Sequence, residues 1–145
     1  MTSFIYIDVA APNNHEGCKR GGIGMAVLDE DNNVECKKGL TIERDTNNAE
    51  LDLMALQEAL EYSEDGDVIY STSDYCVKGF NDWLDGWKSK GWRKSDRKPV
   101  QNRQLWQVVD ELRSRKYVEV RKVKAHSGIR GNEIANSLAI EAAEL

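Results

Sequence analysis

Long apolar runs are missing from this 145-residue chain; no stretch approaches the roughly twenty residues that a membrane-spanning helix needs. The opening MTSFIYIDVA lacks a basic segment followed by a long apolar one, so no secretory leader is expected. Cysteine is scarce. Cys18, Cys36 and Cys76 are odd in number and carry no CxxC spacing, which argues against a disulfide framework and a zinc site and suits a reducing, cytoplasmic compartment. Internal repeats, low-complexity tracts and linkers are also lacking. Residues 1–145 are therefore expected to form one domain, long enough for one core and too short for two ordinary ones. Positive charge is in deficit as well, with a formal net charge of −5. Taken alone, that disfavours a polyanionic partner, but net charge is a poor guide when the charges are segregated.

They are segregated. Between Trp87 and Arg103 the chain carries Lys88, Lys90, Arg93, Lys94, Arg97, Lys98 and Arg103 against a single acid, Asp96. Trp87 and Trp92 lie within this stretch and Trp106 just beyond it, while acids gather at Asp29–Asp31 and Glu61–Asp67. A basic run is usually a solvated face. One this long, nearly of one sign and interleaved with aromatics, is a candidate for polynucleotide contact.

Hydrophobic patterning gives the element order. Phe4–Val9, Gly22–Leu28 and Val34–Leu40 read as strands joined by polar turns, an antiparallel meander. Asn47 and Asn48 are good helix caps, and Leu53, Leu56 and Leu60 with Ala55 and Ala59 then recur at helical spacing over Ala49–Tyr62. Val68–Ser71 is a short buried strand and Asp74–Trp87 a helix. Pro99 can open another helix, striped by Leu105, Val108, Val109 and Leu112. Tyr117–Val123 alternates as a fifth strand. His126–Gly131 is a loop, and Asn132–Leu145 a last helix with Ile134, Leu138 and Ala142 on one side. The order is βββαβα(α)αβα: an α/β domain with a five-stranded mixed sheet, helices on both faces, and strand 4 parallel to strand 1.

This order and several stretches resemble type 1 (bacterial-like) ribonuclease H, over essentially the whole chain. Tyr75–Leu84, Trp87–Lys94 and Lys98–Asn102 with Leu105-Trp106 are similar to the family's basic protrusion, which holds the DNA strand of an RNA–DNA hybrid. Val123–Gly128 followed by Gly131-Asn132-Glu133 resembles its histidine loop, and Thr46-Asn47-Asn48 its substrate-contacting turn. The resemblance implies endonucleolytic hydrolysis of the RNA strand of hybrids by a monomer without membrane attachment. It implies Mg²⁺, with Mn²⁺ as an alternative, held by carboxylates that converge from separate elements. Hybrid contacts are implied for Asn13, Asn14, Thr46, Asn47, Asn48, Trp83, Trp87, Lys88, Lys90, Trp92, Arg93, Lys94 and Lys98.

The family places four metal-binding residues at the end of strand 1, the start of the first helix, the end of strand 4 and the last helix. Asp8 occupies the first. At the second, Asp52-Leu53-Met54-Ala55-Leu56 resembles the family's Glu-Leu-Met-Ala-Leu, which favours Asp52 and leaves Glu50 as the alternative. The two lie about 200° apart on a regular helix and cannot serve one cluster together. At the third place Thr72 stands where Asp is expected. Asp74 is either a helix N-cap or a compensating carboxylate. At the fourth, Asn136 stands for Asp and can still ligate through its amide oxygen. His126 is expected to assist proton movement near the phosphate. With Thr72 and Asn136 neutral, cation binding should weaken. The alternative reading is accordingly a weakened or inactive domain that holds hybrid or duplex without cutting; a third is a part in a protein assembly.

Overall fold

The computed structural model describes residues 1–12 and 19–144. Asn13, Asn14 and Cys18 lie outside the described residues. The strands are β1 (Phe4–Ala10), β2 (Gly21–Leu28), β3 (Val34–Ile42), β4 (Val68–Ser71) and β5 (Glu119–Lys122). They form one sheet in the order β3-β2-β1-β4-β5. The first three strands are antiparallel neighbours, and β4 is parallel to both β1 and β5. The helices are α1 (Asn48–Tyr62), α2 (Asp74–Lys78), α3 (Leu84–Ser89), α4 (Arg103–Arg115) and α5 (Arg130–Glu144). A π-helical turn, Gly79–Trp83, joins α2 to α3. No helix among the described residues is long and apolar enough to cross a membrane.

The element order agrees with the one read from the sequence. β5 is shorter than the alternation in Tyr117–Val123 implies, and α5 begins earlier, at Arg130. The helix expected over Asp74–Trp87 continues to Ser89 and is broken by the π turn. Asn47 is the cap of α1: its side chain accepts a hydrogen bond from the Glu50 amide at 2.9 Å, and Asn48 is the first helical residue.

Two packing features position the site. Helix α1 is buried on two sides, through Leu51, Leu53, Ala55, Leu56, Ala59 and Leu60, because it lies between the sheet and α4. Helix α5 covers the other face of β1, β2 and β3. It approaches β2 so closely that a Cβ on Gly22 or Gly24 would lie 1.9 Å from the carbonyl oxygens of Ala139 and Ala135. Only glycine permits that approach. Both helices are thereby fixed against the sheet, and the C-terminal ends of β1 and β4 open between them.

Candidate functional site

Asp8 lies near the end of β1, and each of its carboxylate oxygens receives a hydrogen bond from another element. Oδ1 accepts from the Val9 amide at 2.9 Å and from the Thr72 hydroxyl, just beyond β4, at 3.2 Å. Oδ2 accepts from the Asn136 side-chain amide, on α5, at 3.1 Å. Thr72 and Asn136, both neutral, therefore converge on Asp8 as donors.

Asp52, on α1, borders the same site. Burial pushes its carboxyl up to about 7, the nearby Asp8 carboxylate adds to the rise, and a hydrogen bond with Ser73 and the Lys122 ammonium oppose it. Glu50 points elsewhere. It accepts from Arg44 at 2.6 Å and from the buried Thr46 hydroxyl at 3.0 Å, and it lines a cavity with Arg44, Asn102, Arg103 and Leu105. The geometry thus groups Asp52, and not Glu50, with Asp8, as expected for two positions on opposite sides of a helix.

Asp74 is not the cap of α2. That role falls to Ser73, whose side chain accepts from the Cys76 amide at 3.2 Å. Ser73 has the extended backbone that a cap requires, whereas Asp74 is already helical. The Asp74 carboxylate is largely exposed and lies 3.3 Å from the Lys122 ammonium, with no bond to Asp8. Lys122 ends β5 in register with Ser71, and its Nζ also donates to the Thr72 carbonyl. Sequence reasoning missed this lysine because a cation at a strand end reads as solvated. Strand parity with buried Val120 was the available signal, since it turns Lys122 towards the helix-covered side of the sheet.

His126 is exposed and has a left-handed backbone (φ 56°) in the loop between β5 and α5. The basic stretch forms an arm. Lys94 and Lys98 pair through a backbone bond of 2.8 Å, Val100 donates to the Trp92 carbonyl at 3.0 Å, and Arg93 bridges to Pro99. Trp106 is fully buried beneath it, donates to the Tyr75 hydroxyl at 2.9 Å and meets Trp87 edge-on at 5.3 Å. Trp87 and Trp92 are half-buried anchors of the arm, and Trp83 is the more exposed aromatic. Lys88 is paired with Asp110 at 3.1 Å and Lys94 more loosely with Asp96 at 3.8 Å, and the Arg93 guanidinium donates to the Arg97 carbonyl at 3.0 Å; Lys90, Arg93, Lys94 and Lys98 are all exposed.

The donor set falls short of what a pair of divalent cations requires. Among the described residues no group of three or more His, Cys, Asp or Glu side chains converges. Asp8, Asp52 and, after rotation of its amide, the Asn136 carbonyl offer hard oxygen donors for a single cation.

A five-stranded mixed sheet with its acidic residues at the ends of β1 and α1, beside a cationic arm, defines a ribonuclease H-like nucleic-acid enzyme. The RNase H family model matches residues 2–144. The chain is 36% identical over 143 residues to the ribonuclease H of Janthinobacterium sp. (strain Marseille), covering 97% of this chain and 95% of that one. It is 37% identical over 141 residues to the ribonuclease H of Cyanothece sp. (strain PCC 7425 / ATCC 29141), covering 94% and 86%. Among solved structures it is similar to LC9-RNase H1, a type 1 RNase H with the type 2 active-site motif, at a TM-score of 0.81 and 28% identity over 99% of this chain and 72% of that one. LC11-RNase H1, solved in complex with an RNA/DNA hybrid, shares the fold at a TM-score of 0.68 and 19% identity, covering 97% and 98%. The chain belongs to the ribonuclease H family.

Proposed function

We propose that this protein binds RNA–DNA hybrids and hydrolyses their RNA strand, acting as a cytoplasmic monomer of one domain. The carrying observation is the family match over nearly the whole chain, joined to the placement of Asp8 and Asp52 at one site beside an exposed basic arm. The arm's Lys90, Arg93, Lys94 and Lys98 would hold backbone phosphates, and Trp83 offers an apolar surface to a sugar. Asn47 and Asn48, exposed at the start of α1, would meet the minor groove, whereas Thr46, also expected to touch the hybrid, is buried and spends its hydroxyl on Glu50. Asp8 and Asp52 would hold one divalent cation, Mg²⁺ or Mn²⁺, with Asn136 as a neutral third ligand. Such an ion supplies Lewis-acid polarisation of the phosphoryl oxygen and activation of a water. Burial raises the Asp52 carboxyl to about 7 in the metal-free protein, so a cation binding there would displace a proton. His126, exposed on its loop, is suited to carry a proton to or from solvent.

A second reading is favoured by one observation: Thr72 and Asn136 contribute donors to Asp8 where the family pattern has charge. On that reading the domain holds hybrid and cuts it weakly or not at all. Incubation of a labelled hybrid with Mg²⁺ or Mn²⁺, with binding followed in parallel, separates the two. Cleavage by the natural sequence, rising at least tenfold in Thr72→Asp/Asn136→Asp, supports the first. Binding without cleavage, with activity gained in that double variant, supports the second. Equal affinity for hybrid and duplex DNA, without cleavage in any variant, would refute both and favour a role in a protein assembly.

A further inference from the structure

We propose that Lys122 contacts a backbone phosphate of the bound hybrid at the Asp8–Asp52 site, supplying from the protein some of the positive charge that a fuller carboxylate set would draw from a second cation. The inference rests on the hybrid-binding reading above and adds a residue to it. Three observations carry it. First, parallel pairing of β5 with β4 in the register Ser71–Lys122 delivers this side chain to the turn that contains Thr72, at the end of the sheet where Asp8 lies. Second, the ammonium is held there by the Thr72 carbonyl and, at 3.3 Å, by Asp74, and its field reaches Asp52. An ammonium has three N–H donors; these two partners leave one for an incoming phosphate oxygen. Third, the side chain is 43% exposed, so the head group can be reached without opening the fold.

The charge balance points the same way. Thr72 and Asn136 remove two negative charges from the family's arrangement, and Lys122 adds a positive one among the carboxylates that remain. A phosphodiester approaching without metal therefore meets less repulsion than four carboxylates would present, and an ammonium to pair with.

The bland alternative is that Lys122 only fastens the turn between β4 and α2. The test is metal-free binding of a labelled RNA–DNA hybrid in EDTA, followed by fluorescence anisotropy across a salt titration, for the natural sequence, Lys122→Gln and Lys122→Arg. Thermal unfolding is measured on each. A phosphate contact predicts that Lys122→Gln binds about fivefold more weakly and that the slope of log affinity against log salt becomes shallower by about 0.9. Lys122→Arg should restore the slope. A lower melting temperature with an unchanged slope would assign Lys122 to the turn and overturn the proposal while hybrid binding stands. Failure of the natural sequence to bind hybrid at all would overturn both.

Discussion

Replacing Asp52 by Asn should make the protein more stable in metal-free buffer, and increasingly so as the pH rises. Burial is the main reason that the Asp52 carboxyl stands at about 7 instead of 3.8. The native state therefore holds a proton there that the unfolded chain has released, and between these two values stability falls as pH rises. At 1.36 kcal/mol per pH unit, the full cost of ionising Asp52 in the fold is at most ~4 kcal/mol, with partial access of water lowering it. Asparagine keeps the shape and the bond to Ser73 and removes the titration. The informative quantity is the difference in urea-unfolding free energy between variant and natural sequence, measured in EDTA at pH 5 and pH 8. Its constant part, from altered contacts, cancels between the two pH values. The variant's advantage should grow by ~2–3 kcal/mol from pH 5 to pH 8. A difference that stays level across that range would mean that the carboxyl titrates as it does in the unfolded chain, and the description of Asp52 as a half-buried, desolvated acid would be wrong.

Two further substitutions test the scaffold. Gly24→Ala places a Cβ 1.9 Å from the Ala135 carbonyl oxygen and forces α5 away from β2; a loss of ~3 kcal/mol or more is expected in thermal or urea unfolding, and Asn136 should lose its registry with Asp8. Lys116→Met removes an ammonium that donates to the carbonyls of Leu60, Glu61 and Ser63 at the end of α1, at 2.6, 3.0 and 2.6 Å. A fall of ~2 kcal/mol in unfolding free energy should follow, with hybrid affinity unchanged because this end of α1 lies opposite the site.

The sequence made the scaffold legible where one periodicity dominated. Phe4–Ile7 is a β-branched and aromatic run, with Ile5 and Ile7 buried, and α1 announces itself through leucines at helical spacing. Leu51 escaped that stripe because α1 is buried on two sides, a fact of tertiary packing against α4 that a one-sided pattern does not encode. The π turn at Gly79–Trp83 was equally hidden; it lies in the helical segment that sets Tyr75, Trp83 and Trp87 around Trp106. At the site, helix phase showed that Asp52 and Glu50 could not serve together, and the likeness of Asp52–Leu56 to the family's helix favoured Asp52. Helix phase could not assign the cap of α2, where Ser73 and Asp74 are both good candidates and only the backbone angles separate them. Strand parity with Val120 could set the side of the sheet on which Lys122 lies, but placing it beside Thr72 needed the parallel register of β4 with β5, a pairing between residues far apart in the chain.

Thr72 and Asn136 are best understood as a pair. Each donates to a different oxygen of the same carboxylate, one from the end of β4 and one from α5. If aspartates stood at both places, Asp8 would face two like charges and would depend on a cation to be tolerated at this spacing. With a hydroxyl and an amide there instead, the carboxylate is already satisfied by hydrogen bonds. Changing one residue alone to Asp leaves the other side-chain donor and introduces one repulsion; changing both leaves only the Val9 amide and sets three carboxylates against one another, three repulsions in place of the two that the single changes add together. The stability cost in EDTA should therefore exceed the sum of the single costs, with a coupling of ~1 kcal/mol in a double-mutant cycle, and Mg²⁺ should reclaim more of it in the double variant than in either single one. Strictly additive costs would mean that the two residues act on Asp8 independently, and the paired reading of the site would fail.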